Sequence, residues 1–123
     1  MITKGEKINK EWGYELIITN NENYCGKILH FKEGAKFSMH FHMEKDETWF
    51  VNFGSFILKW IDTNNADVYE EHLSYGNVIH IHPGLPHQLI AETEAEIIEV
   101  STQHFDHDSY RVWKGDSQNE SLG

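Results

Sequence analysis

The chain has 123 residues and a mass of 14.4 kDa, enough for one domain. Its single cysteine, Cys25, excludes an internal disulfide and with it a disulfide-stapled secreted scaffold. Twenty acidic residues against ten basic ones give a formal charge of −10, which argues against nucleic acid and anionic membranes as partners.

Residues 1–11 read as a polar, lysine-rich arm. Trp12 to Thr19 is the first predicted strand, and Tyr24 to Lys32 the second. Phe37 to Phe41 alternates into a third, and the charged segment Met43–Asp46 breaks that alternation. Thr48 to Phe53 and Ser55 to Ile61 are two aromatic and β-branched runs on either side of Gly54, a pattern that predicts a hairpin. Asp62–Asp67 is the strongest turn. Val68–Leu73, Asn77–Ile81, His87–Ala91 and Glu96–Thr102 are further short strands, and residues 106–123 read as a polar tail. Apolar residues never recur at helical spacing for three turns, so helix is expected to be scarce. Short strands at this spacing predict an all-β sandwich or barrel over residues 12–105. No apolar run approaches the ~20 residues of a membrane span, and the N-terminus lacks the apolar stretch of a secretory signal. A cytoplasmic protein is expected.

The chemistry concentrates between Gly34 and Gly54. Side chains alternate along a strand, so His40 and His42 point the same way, about 7 Å apart at Cβ. That is close enough to grip one ion. Glu47 needs a bulge in the Met43–Asp46 segment to return to the same face. A distant strand must supply a further ligand, and His87, opening a strand after the Pro83–Pro86 turn, is the best candidate. Asp46 remains an alternative carboxylate, and His80 and His82 form a second H-x-H pair. Three imidazoles and one carboxylate would leave positions open on a six-coordinate metal, as chemistry requires. Zn, Fe, Mn, Ni and Cu are all compatible. Neutral imidazoles bind metal, so affinity is expected to fall below about pH 6. Cys25 reads as a small buried apolar residue, and His30, His72, His104 and His107 as surface residues.

Gly34-x5-His40-x-His42-x4-Glu47-x6-Gly54 resembles the first motif of the cupin superfamily in every anchor and gap. Gly76-x5-His82-x-Gly84-x2-His87-x3-Ala91 resembles the second, with His82 where proline is usual and Ala91 where asparagine is usual. The resemblance implies a cupin jelly-roll barrel, the double-stranded β-helix. By carry-over it implies His40, His42, Glu47 and His87 as ligands of one divalent metal ion. Trp12–Glu15, Tyr24–Lys27 and Lys45–Glu47 are similar to small cupins related to type II mannose-6-phosphate isomerases.

That resemblance implies a sugar or sugar phosphate as ligand and aldose–ketose isomerisation as the reaction. A cupin-type dioxygenase and a non-catalytic sugar-binding module are the alternatives. The catalytic base is not legible. Lys27, Lys59 and His82 are candidate substrate contacts. Phosphate recognition favours arginine, and Arg111 is the only one present. The aromatic content, with Trp12, Tyr14, Trp49 and Trp60 in predicted strands, exceeds what one small barrel buries. Cupins commonly pair through such faces, and a homodimer is expected.

Overall fold

The computed structural model describes residues 1–119. Eleven strands form two antiparallel sheets. The first contains β1 (Glu6–Lys10), β2 (Gly13–Asn20), β3 (Cys25–Phe31), β10 (Ala95–Ser101), β5 (Glu47–Phe53) and β8 (Val78–Ile81), adjacent in that order. The second contains β11 (Tyr110–Trp113), β4 (Met39–Phe41), β9 (His87–Ala91), β6 (Phe56–Ile61) and β7 (Val68–Leu73). One short helix, α1 (Asp116–Asn119), follows β11. The all-β expectation holds, and the two sheets face each other as a flattened barrel.

Alternation decides which side chains enter the barrel. On β3, Cys25, Lys27, Leu29 and Phe31 are buried while the residues between them are half-exposed. On β10, Ala95, Ile97 and Glu99 are buried. Phe31, Val51, Phe56, Leu89 and Ile97 have no exposed surface and form the centre of the core. Trp12 stacks on Phe31 at 4.5 Å, and Phe56 meets Phe31 edge-on at 5.2 Å, both favoured aromatic geometries.

The structure corrects three sequence expectations. Thr48–Phe53 and Ser55–Ile61 do not form a hairpin: β5 pairs with β10 and β8, and β6 pairs with β9 and β7. Gly54 instead turns the chain from one sheet into the other. It has φ of 79°, and a Cβ there would lie 2.5 Å from Ala95 Cβ, so both conformation and space demand glycine. The Asp62–Asp67 turn does join a hairpin, between β6 and β7.

The polar arm contains β1, which pairs along its whole length with β2, Glu6 opposite Ile17 and Lys10 opposite Gly13. The polar tail contains β11, which pairs with β4 and stacks Tyr110 on Phe41 at 5.2 Å. Both strands lie at sheet edges, where one face and one ladder side meet solvent; β1 is mostly polar, whereas β11 carries the exposed Tyr110, Val112 and Trp113.

Candidate metal centre

Three histidines converge at one end of the barrel. His40 on β4 lies directly opposite His87 on β9, so their side chains leave the sheet on one face. His42 follows two residues after His40 and joins them. One ring nitrogen from each of the three lies within 4.8 Å of the other two. The turn before β9 holds this arrangement from behind, because the Gly84 amide donates to the main-chain oxygen of His42 at 2.6 Å.

The tautomers follow from the partners. His40 Nδ1 lies 2.8 Å from Ser38 O, His42 Nδ1 2.6 Å from Asp108 O, and His87 Nδ1 2.8 Å from Leu85 O. A carbonyl oxygen only accepts, so each Nδ1 carries the proton and each Nε2 presents a lone pair. This is the arrangement that fixes metal-ligating histidines.

Burial keeps the rings neutral. It pushes His40 down to about 4, with His42 adding repulsion. Burial also lowers His42, and with His40 it lowers His87 well below the ordinary imidazole value. Burial thus favours the neutral form of all three rings, which moves the expected onset of acid metal loss downward.

Glu47 opens β5 in the facing sheet, returned to the site by the bend in Met43–Asp46. Its Oε2 is 3.4 Å from His42 Nε2 and accepts no hydrogen bond, while Oε1 accepts from the Trp49 indole at 2.6 Å. Burial, together with the neighbouring Glu99, raises its carboxyl to about 8. A buried carboxylate oxygen without a donor beside three imidazole lone pairs is an incomplete polar cluster. A divalent cation completes it, and the nitrogen-rich, thiolate-free donor set suits a first-row transition metal. The residues fit one divalent metal ion. Glu47 lies outside the mutually close histidine trio, on the opposite wall. Asp46 is exposed and pairs with His80 at 2.6 Å, away from the cluster.

The trio lines a cavity of about 270 Å³. Beyond the histidines its wall is charged. Lys45 Nζ lies 2.8 Å from Glu99 Oε2 and 3.9 Å from Glu47 Oε2. Lys27 Nζ lies 2.7 Å from Glu15 Oε1, and Lys27 sits directly across the ladder from Glu99. Burial would raise the Glu99 carboxyl, but Lys45 and Lys27 overcome it and hold that group below its ordinary value.

Of the candidate substrate contacts, Lys27 lines the cavity, and Lys59 and His82 do not. Lys59 is one step out of phase with the inward Leu58 and instead meets Glu70 across the β6–β7 ladder at 3.5 Å. His82 follows the inward Ile81, projects to solvent, and sits 2.8 Å from Pro83 O. His104, expected on the surface, is half-buried on the cavity wall, 3.3 Å from Lys45 Nζ.

Glu99, Glu15 and Asp108 were not singled out by the sequence. For Glu99 a signal existed: it continues the inward series Ala95, Ile97. A charge at an inward position needs a partner, and Lys27, inward between Cys25 and Leu29, is the matching anomaly.

A family model described as cupin matches residues 11–113. No curated protein matches the chain. Among solved structures, oxalate decarboxylase from Bacillus subtilis superposes with a TM-score of 0.78 at 20% identity, covering 88% of this chain and 30% of that one. A further structure of that enzyme, from work on its Mn(II) centres, gives 0.77 at 19% identity, with the same coverage of 88% and 30%. CapF, with the inhibitor 3-isopropenyl-tropolone, gives 0.75 at 17% identity, covering 89% of this chain and 34% of that one. The chain spans about a third of the length of these proteins, and at such identities the likeness is one of fold.

Proposed function

The chain belongs to the cupin family, and from that premise we propose that it is a metal-dependent aldose–ketose isomerase acting on a sugar-type ligand. The observation that carries this reading is the joint placement, in one cavity of about 270 Å³, of three Nε2 lone pairs and the buried Lys45–Glu99 pair. Isomerisation needs an electrophile for the carbonyl oxygen and a base that moves a proton between adjacent carbons. His40, His42, His87 and Glu47 would hold the ion, which would supply a Lewis acid for the carbonyl and hydroxyl oxygens. Glu99, held ionised by Lys45 and Lys27, takes the proton from one carbon and returns it to the next. Lys45 steadies the charge of Glu99 through the transfer. Trp49 keeps the Glu47 carboxylate turned toward the histidines.

The test is incubation of the metal-loaded protein with a panel of aldoses in D2O, followed by NMR. Ketose formation with deuterium at C1, the carbon that receives the proton, is expected. Oxygen uptake without isomer formation would assign oxidative chemistry instead, and binding without either would leave a sugar-binding module.

The same reading takes the protein as a two-fold homodimer in a reducing, cytoplasmic compartment, where the buried free thiol of Cys25 is safe. Support for pairing is a row of apolar side chains across the outer face of the first sheet. Leu16 lies opposite Ile28, Ile28 opposite Ile98, Ile98 opposite Phe50, and Phe50 opposite Val78. Val78 is 67% exposed. Trp12 and Trp49, by contrast, turn inward. A second copy related by a two-fold axis would cover the row. Light scattering at micromolar concentration should give about twice 14.4 kDa.

A further inference from the structure

We infer that the ligand of the metal cavity carries no phosphate: it is a neutral polyhydroxylated molecule, an unphosphorylated aldose or its ketose. This rests on the isomerase reading and adds the substrate class.

Three cationic side chains line the cavity, and each has a carboxylate partner. Lys45 is 2.8 Å from Glu99, Lys27 is 2.7 Å from Glu15, and Lys10 is 3.5 Å from the second oxygen of Glu15. Lys27 and Lys45 are 4% and 3% exposed, so neither can swing out to find a different anion. Against these three ammonium groups stand four carboxylates on the same wall: Glu15, Glu47, Glu99 and Asp106. Arg111, the only guanidinium in the chain, is exposed on β11 and does not line the cavity. Residues 120–123 contain no basic side chain.

A phosphate monoester brings a charge of about −1.5 to −2 and demands several donors. To bind it, Lys27 or Lys45 would have to leave its carboxylate unpaired in a buried site, the costly way to break an ion pair. A hydroxyl both donates and accepts. Rows of paired ammonium and carboxylate groups offer both functions at fixed positions, and neither buried ammonium is left without a carboxylate to receive a phosphate; the charge of the divalent ion is met by Glu47 and the ligand's own hydroxyl oxygens. The volume also favours one sugar ring, since it falls just below the ~300–1,000 Å³ of pockets for drug-sized ligands.

The test uses the wild-type chain carrying the metal it retains on purification. It is titrated calorimetrically with mannose, glucose and fructose and with the 6-phosphate of each. The expected result is at least one neutral hexose bound tenfold or more tightly than its 6-phosphate. Equal or tighter binding of the 6-phosphates overturns the inference, as does failure of every neutral hexose to bind. Isomer formation in the same samples separates the two claims. A neutral hexose bound in preference but never isomerised supports this inference and overturns the isomerase reading. Preferential isomerisation of a 6-phosphate does the reverse. In Glu15→Gln, which releases Lys27, the ratio of 6-phosphate to hexose affinity should rise severalfold. An unchanged ratio overturns the charge-pairing account.

Discussion

The imidazole of His42 donates its Nδ1 proton to the main-chain oxygen of Asp108 at 2.6 Å. The Asp108 carboxylate in turn accepts the amides of Met43, Glu44 and Lys45 at 2.8–3.2 Å. Against the effect of its burial, these amides hold the carboxyl below its ordinary value. One residue just before β11 therefore orients a candidate ligand and shapes the bend that returns Glu47 to the site. Asp108→Ala should lower metal affinity by about 10–100-fold and stability by about 1–3 kcal/mol. Chelator competition and urea unfolding check both. Unchanged metal affinity would show that the bend holds itself.

His40→Ala and His87→Ala should each reduce retained metal sharply, measured by elemental analysis of protein purified without added metal. Glu47→Gln should weaken retention less, because it removes the charge and keeps an oxygen in place. His107→Ala, exposed and outside the cavity, should retain the ion. Equal retention in all four would remove the site from this end of the barrel.

In the metal-free protein, pH should act through two sets of groups with opposite sign. The histidines have depressed folded values, about 4 for His40. Between 6.5 and 4 the unfolded chain binds more protons, so their contribution falls on acidification. Glu47 has a raised folded value of about 8. From 4.5 to 8 the folded chain holds the extra proton, so its contribution falls as pH rises. Urea midpoints should therefore decline below pH 6.5, where three histidines oppose one glutamate, and decline again toward pH 8. Glu47→Gln should flatten the upper limb alone. A wild-type midpoint that climbs between pH 6.5 and 8 would contradict the buried, protonated Glu47.

Removing one partner of the buried Lys45–Glu99 pair should be far worse than removing both. Lys45→Met leaves Glu99 with only the more distant Lys27 as a counter-charge and should cost about 3 kcal/mol, the low end for a broken buried pair. The double variant Lys45→Met/Glu99→Leu should recover most of that. Denaturant midpoints of the two variants check the coupling. Additive losses would mean that each charge is satisfied elsewhere.

Local pattern was sufficient for the strands from β2 to β10, because alternation with a period of two records which face is buried. The spacing His40, His42, Glu47, His87 likewise survives in one dimension, since the first two share a strand face and the others open strands. The strands at the two ends were unreadable because neither shows the burial alternation of an inner strand. An edge strand such as Glu6–Lys10 or Tyr110–Trp113 takes its stability from a neighbour's ladder rather than from its own burial.

Pairing was also beyond the sequence. Two strong strands around Gly54 suggest a hairpin by proximity, and only the packing of Gly54 against Ala95 sends them to different sheets. Lys59 and Lys27 are alike in sequence, two lysines in β-rich runs. One faces Glu70 outside and the other Glu15 and Glu99 inside, and the difference is a single step of phase. What the sequence alone determined was the all-β class of fold, written in short-range periodicity, and, through the resemblance of its two motifs to cupins, the three histidines that converge together with Glu47 as a candidate fourth ligand. Only the tertiary structure decided the charged wall of the cavity and the hold of Asp108 on His42. The first joins residues far apart in the chain, such as Lys45 and Glu99, or neighbours across a ladder, such as Lys27 and Glu99, and the second spans 66 positions; no local pattern specifies either.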